Sequence, residues 1–278
     1  MSKLQPLVFT DLDGSLLDHH SYSFDAARCT LERLDELGIP VIPVTSKTRA
    51  EIKQIRDALG NKHPFVAENG AAVFIPRSYF PEPPEGTEEH GDYLVAAFSP
   101  PRQRWLSLLQ ALAPEFPGDF VSFADAGIEG ISRMTGLPAE AAALANDRYF
   151  SEPVQWLGDD QRRDEFIDAL QREGAQPLQG GRFLTLSANC DKGRALSWLR
   201  AIYAAQQADT VICDIAIGDS NNDIAMLEAA QTALLVRSPV HDYPALARQQ
   251  GVMRSEAEGP AGWAQGVERW LSDLQLIH

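Results

Sequence analysis

Two carboxylates two residues apart are the first chemistry this 278-residue chain presents. In PLVFTDLDGSLLD, Asp11 and Asp13 follow the apolar run Leu7, Val8, Phe9 and precede Gly14. Residues i and i+2 of an extended chain project to the same side. Both acids therefore face one point at the end of a short buried strand, which is where open α/β sheets bind ligands. Paired there, one carboxylate is able to attack phosphorus while the other delivers and collects protons. The same residues also suit a plain strand and Asx turn, which Asp and Gly favour, so the pair needs support from elsewhere in the chain.

Three further signals fall at expected strand ends or helix starts. VIPVT ends a buried strand on Thr45, with Ser46 and Lys47 next. A hydroxyl beside the free N–H groups of a following helix suits a phosphate oxygen, and an ordinary helix cap explains the threonine equally well. Lys192 in NCDKGRAL opens a helix, where an ammonium opposes the macrodipole, and an exposed surface lysine is the plain alternative. AIGDSNND ends an apolar strand on Asp219 and adds Asn222 and Asp223, more polar groups than a cap requires. Two or three carboxylates with water and a phosphate oxygen suit Mg²⁺, a hard ion that prefers oxygen and keeps part of its hydration. A lysine and a hydroxyl would balance the remaining phosphate oxygens.

The elements that must position these residues come from both ends of the chain. Residues 7–76 alternate strand and helix: a helix from Phe24 to Leu37 with Leu31, Leu34 and Leu37 on one face, a second buried strand, a helix from Thr48 to Leu59, and a third strand in PFVAENG with AAVFI beside it. That βαβαβ order predicts a parallel sheet with helices on both faces. PRSYFPEPPEGTEEHGD then reads as a loop or hinge. Beyond it, strands, helices and a hairpin about Gly180–Gly181 form an α+β block, and βα alternation resumes from Asp191. The expected fold is α/β, a Rossmann-like parallel-sheet core from residues 1–81 and 189–278 with an inserted α+β cap at 82–188.

Composition narrows the partners. A formal net charge of −15 argues against nucleic acid, which needs clustered Lys and Arg. A small anionic substrate remains compatible, because a metal and a few local cations override the global field. No basic helix or long apolar run points to a membrane. Cys29, Cys190 and Cys213 are an odd number without metal-ligand spacing. They read as buried thiols in a reducing compartment, and with no leader segment ahead of the first strand the expected location is cytoplasmic. The histidines show no ligand pattern and read as surface; Trp156, Trp198, Trp263 and Trp270 read as packing residues.

In order and content the four signals resemble the haloacid dehalogenase superfamily of phosphatases, with Ser15 of DLDGSLLD standing where threonine is usual. The resemblance implies a nucleophilic Asp11, a general acid/base Asp13, and Thr45 and Lys192 neutralising the transferring phosphoryl group. It implies Mg²⁺ held by Asp11, the Asp13 backbone carbonyl and Asp219, with Asn222 and Asp223 holding its waters or orienting Lys192. The insert resembles the α+β cap of the group that includes sucrose-phosphate and trehalose-phosphate phosphatases and phosphomannomutase. VTSKTRAEI, ENGAAVFIP, RYFSEP, QGGRFLTL and GPAGW are similar to the mannosyl-3-phosphoglycerate phosphatase family. The implied reaction is hydrolysis of mannosyl-3-phosphoglycerate, a small glycosyl phosphate. The alternatives are the glucosyl analogue or another sugar phosphate, a sugar phosphomutase, and a non-catalytic sugar-phosphate sensor, which the intact motifs disfavour. Ser46, Lys47, Arg148, Glu152, Gly180, Gly181 and Arg182 are the implied substrate contacts, with Arg182 forking onto a glycerate carboxylate and Glu152 accepting from sugar hydroxyls. A glycine pair also makes hairpin turns, and an Arg and a Glu also form ordinary ion pairs.

Overall fold

The computed structural model describes residues 3–180, 182–206 and 210–277. In chain order the elements begin β1 (Lys3–Thr10), α1 (Arg28–Glu36), β2 (Val41–Pro43), α2 (Arg49–Leu59), β3 (Phe65–Ala67), β4 (Ala72–Pro76), β5 (Glu88–His90) and β6 (Tyr93–Ala97). They continue with α3 (Arg102–Leu112), β7 (Phe120–Ser122), α4 (Phe123–Thr135), α5 (Ala139–Asn146), β8 (Glu152–Trp156), α6 (Asp160–Arg172), β9 (Leu178–Gln179) and β10 (Leu184–Leu186). The last are α7 (Lys192–Gln206), β11 (Thr210–Gly218), α8 (Ile224–Ala229), β12 (Thr232–Arg237), β13 (Val252–Glu258) and α9 (Gly259–Asp273). They fall into two compact units. The first comprises the described parts of 1–45, 62–96 and 191–278, the second 46–61 and 97–190.

In the first unit a five-stranded parallel sheet runs β13-β12-β11-β1-β2. Leu7, Val8 and Phe9 of β1 are fully buried, as expected of a strand covered on both faces. Register does the positioning. β1 pairs with β11 from Lys3↔Thr210 to Thr10↔Ile217, so the next residues of the two strands, Asp11 and Gly218, end level with each other. The Asp11 N–H donates to the Ile217 carbonyl at 2.8 Å and the Val44 N–H to the Thr10 carbonyl at 2.7 Å. Asp11, Thr45 and Asp219 thus leave neighbouring strands at one edge. α9 buries Trp263, Val267, Trp270 and Leu271 at helical spacing, and its Trp263 Nε1 donates to Thr10 Oγ1 at 2.9 Å, behind the strand end that carries Asp11.

Some expectations change. The third strand does not join the parallel sheet as a full member: β3 touches β2's extension through a single Val44–Val66 bridge and pairs antiparallel with β4, in a second sheet of order β3-β4-β6-β5. β5 lies within the segment read as a loop; its residues are all exposed, so no apolar pattern announces it. β13 is a half-exposed edge strand with the same lack of signal. In α1 only Thr30 and Leu34 are buried, and Leu37 is exposed. The cysteines are not buried: Cys29 is exposed and Cys190 and Cys213 are partly so.

The second unit holds an antiparallel sheet, β7-β8-β10-β9. Trp105 and Leu109 of α3 and Phe166 and Leu170 of α6 pack on Val154, Leu184 and Leu186 of that sheet. Phe123 and Ile131 of α4 and Ala142 and Ala145 of α5 form a smaller cluster. α2 belongs here by its packing on α5, whereas β5 and β6 belong to the first unit, so the division differs from an insert at 82–188 at both places. α2 starts on a capping box in which Thr48 accepts from the Glu51 N–H and the Glu51 carboxylate accepts from the Thr48 N–H.

Candidate active site

Asp11 is buried at the end of β1, and the chain after it turns back through Leu12, fully buried, to Asp13, partly exposed. The turn closes with the Gly14 N–H on the Leu17 carbonyl at 2.9 Å. Gly14 sits at φ +76°, a conformation that favours glycine, and a Cβ there would lie 2.6 Å from Asp219 Oδ2. Lys192, on the first turn of α7, is fully buried and donates to Asp11 Oδ1 at 2.7 Å and to Asp223 Oδ1 at 2.5 Å. A lysine there opposes its own helix dipole; two carboxylates compensate it. Asp223 Oδ2 accepts the N–H groups of Asp219 and Ser220, each at 3.1 Å, which closes the acidic loop on itself.

The charges do not balance. Burial pushes the Asp11 carboxyl well above its ordinary range, and although Lys192 pulls it back, Asp223, Asp219 and Asp13 push it up again. Burial raises Asp219 to about 6, with Asp223 adding to the shift and His241 and Lys192 opposing it. Lys192 is depressed by burial but lifted further by Asp11 and Asp223, so it stays an ammonium. Among the described residues the site is thus a group of crowded carboxylates about the Lys192 ammonium, an arrangement that a metal cation would help to neutralise.

The donor set fits such an ion. Asp11, Asp219 and Asp223 each offer a carboxylate oxygen within 4.8 Å of one another, all of them hard donors of the kind Mg²⁺ prefers. Within that trio Asp223 is already committed at both oxygens to Lys192 and to the loop N–H groups. Asp223 thus holds Lys192 and closes the loop through its two oxygens. Asn222 Oδ1 accepts from Ser220 Oγ at 2.5 Å and its Nδ2 donates to Asn69 Oδ1 at 3.2 Å. Thr45 is buried at the same sheet edge, its N–H on the Val66 carbonyl at 3.1 Å.

The expected substrate contacts lie in the second unit. Ser46 and Arg148 come together, with Arg148 Nη2 donating to the Ser46 carbonyl at 3.3 Å and Nη1 to Ser151 Oγ at 2.9 Å. Lys47 is partly buried between Ser46 and the cap of α2. Glu152 is corrected: it is fully buried, accepts from Arg102 Nε at 2.5 Å and from the Ala124 N–H at 2.8 Å, and so serves the interior of this unit rather than sugar hydroxyls. Gly180 closes the hairpin with its N–H on the Phe183 carbonyl at 2.9 Å. Gly181 lies outside the described residues. Arg182 is exposed and its guanidinium donates to the Met134 and Thr135 carbonyls at 2.8 and 3.2 Å, tying the hairpin to the end of α4.

Two residues escaped the sequence reading. His241, on the loop after β12, places Nε2 3.4 Å from Asp219 Oδ2, and the same loop lines a cavity of about 580 Å³ with Arg237, Ser238 and Tyr243. Nothing in SPVHDYP marks that histidine. Asn69 was part of a matched motif but had no role assigned to it.

Comparison with known proteins agrees with this geometry. Residues 8–80 match the family model of the haloacid dehalogenase-like hydrolases, and residues 178–271 match that of sucrose-6F-phosphate phosphohydrolase. The fold is shared with the sucrose-phosphatase of Synechocystis sp. PCC6803 (TM-score 0.60, 16% identity, 97% of this chain and 98% of that one). It is also shared with a Thermotoga maritima protein (TM-score 0.65, 17% identity, 96% and 97%). The chain is a phosphoric monoester hydrolase of the haloacid dehalogenase-like class. A curated relative from Methanococcoides burtonii, named glucosyl-3-phosphoglycerate/mannosyl-3-phosphoglycerate phosphatase, is 36% identical over 95% of this chain and 96% of its own length. A relative of the same name from Persephonella marina is 32% identical over 97% and 98%. The chain belongs to the family of these two phosphatases.

Proposed function

We propose that this protein is a Mg²⁺-dependent, cytoplasmic phosphatase that releases phosphate from mannosyl-3-phosphoglycerate or its glucosyl analogue, with the mannosyl compound as the principal substrate. The observation that carries the reading is the crowding of Asp11, Asp219 and Asp223, with the Lys192 ammonium bonded to Asp11 and Asp223. The names of the two curated relatives supply the substrate class. When bound, Mg²⁺ supplies the positive charge that lets an anionic nucleophile meet an anionic phosphate; Asp11, the Asp13 carbonyl and Asp219 would hold it.

The chain's own groups do the rest. An Asp11 oxygen attacks phosphorus in line, forming an aspartyl-phosphate as the bond to the glycerate C3 oxygen breaks. Asp13 gives that oxygen its proton, then takes one from the water that attacks the aspartyl-phosphate, and phosphate leaves with Asp11 restored. Lys192, fixed by Asp223, keeps Asp11 aimed and balances charge on the transferring group, with the Thr45 hydroxyl as a second donor. The second unit selects the substrate, through Ser46, Lys47, Arg148 and the Gly180–Arg182 hairpin.

Phosphate release measured with Mg²⁺ across mannosyl- and glucosyl-3-phosphoglycerate, sucrose phosphate, trehalose phosphate and hexose phosphates tests the reading. The expected result is release from the two phosphoglycerates above all others, lost in Asp11→Asn. Transfer of the phosphoryl group to a second sugar, without free phosphate, would make the protein a mutase instead.

A further inference from the structure

The backbone between β3 and β4 is strained. Glu68, Asn69 and Gly70 lie at φ +53°, +59° and +93°, and among the described residues Glu68–Asn69 is the only adjacent pair of non-glycine residues in the left-handed region. L-residues enter that region singly, Asn more readily than Glu, and a chain that needed only a turn would be served by glycine at both places. Such strain persists where the surroundings over-determine it, and it clusters at functional sites.

Three contacts of this turn lead to the active site. The Asn69 N–H donates to the Thr45 carbonyl at 2.9 Å. Asn69 Oδ1 accepts from Asn222 Nδ2 at 3.2 Å, and Asn222 Oδ1 in turn accepts from Ser220 Oγ, inside the loop that carries Asp219 and Asp223. Gly70 presses on the backbone just before α7: a Cβ there would lie 2.2 Å from the Asp191 carbonyl oxygen and 2.8 Å from the Lys192 nitrogen. Three loops far apart in sequence, holding Thr45, Lys192 and Asp219, meet on one strained tripeptide.

We infer that Asn69 is a positioning residue of the active site: held left-handed by the Thr45 carbonyl, it fixes the Asn222 amide and through it the acidic loop in its metal-binding shape. This rests on the proposal that the loop serves Mg²⁺. Asn69 acts through Asn222, whose amide it holds. Outer groups that orient a metal's ligands change its affinity by tenfold or more when removed.

The test is Mg²⁺ binding to the substrate-free protein by calorimetry, paired with kcat at saturating Mg²⁺ and urea unfolding without metal. Asn69→Gly keeps the left-handed turn and deletes the side chain, so it should fold with near wild-type metal-free stability and bind Mg²⁺ about tenfold more weakly. Asn69→Asp keeps the acceptor oxygen and should bind at least as tightly as wild type, a rescue that a merely structural turn would not show. Asn222→Ala leaves the turn intact and reads the same bond should Asn69→Gly fail to fold; combined with Asn69→Gly it should add little further loss. Unchanged Mg²⁺ affinity in Asn69→Gly or Asn222→Ala, or an Asn69→Asp as weak as Asn69→Gly, overturns the inference and leaves the phosphatase reading standing. A wild-type protein that neither binds Mg²⁺ nor releases phosphate overturns that reading, and the inference with it.

Discussion

Asp219→Asn should make the metal-free protein more stable while removing its response to Mg²⁺. Burial and the nearby Asp223 lift the Asp219 carboxyl from 3.8 to about 6. At roughly 1.36 kcal/mol per unit, the ionised form at neutral pH weakens the folded state by about 3 kcal/mol. The sign follows from proton binding. Between pH 4 and 6, roughly, the folded carboxyl holds a proton that the unfolded one has lost, so stability present in acid is lost as pH rises through that window. Asn keeps the shape and carries no charge. Urea unfolding in EDTA at pH 7.5 should therefore show Asp219→Asn more stable than wild type by up to about 3 kcal/mol, and the difference should vanish near pH 4. Added Mg²⁺ should reverse the order, because wild type gains stability as the logarithm of Mg²⁺ over its dissociation constant and the variant does not. A variant no more stable than wild type in EDTA, or one that gains as much from Mg²⁺, would refute the assignment of Asp219 as a crowded metal ligand.

Lys192→Met should leave the Asp11 and Asp223 carboxylates buried without their cation and cost about 3–5 kcal/mol of stability; full stability in acid-range and neutral urea titrations alike would contradict the buried ion network. Glu152→Ala should destabilise the protein by a similar 3–5 kcal/mol, roughly, through the stranded Arg102 guanidinium, with Mg²⁺ affinity of the folded protein unchanged; a fall in kcat/KM at wild-type stability would restore Glu152 as a sugar contact. Trp263→Phe should lose the bond to Thr10 Oγ1, worth about 1 kcal/mol, and lower kcat with little change in KM, because it moves the strand end behind Asp11 rather than a substrate contact. Equal kcat values would confine Trp263 to packing.

The sequence by itself determined the catalytic types and their order. An apolar run ending on Asp11, a second ending on Thr45 and a third ending on Asp219 are local patterns, and strand ends at the carboxyl edge of a parallel sheet converge wherever that sheet forms. The helix from Thr48 to Leu59 was legible for the same reason: the residues that start and stop it lie within a few positions of each other. β5 was not, because its side chains are all exposed and alternation needs one buried face to be visible. Glu152 looked like a ligand beside Arg148 because its true partner, Arg102, lies on α3, fifty residues earlier. Only the tertiary structure decided which carboxylates are spent and which remain for an ion. Asp223 and Asp219 are equivalent acids in GDSNND, yet one is consumed by Lys192 and the loop N–H groups and the other is left facing Asp11 and His241. The register between β1 and β11 and the close approach at Gly14 make that distinction. Burial then turns it into charge chemistry, since the pKa of a carboxylate depends on what surrounds it in space and not on its neighbours in the chain.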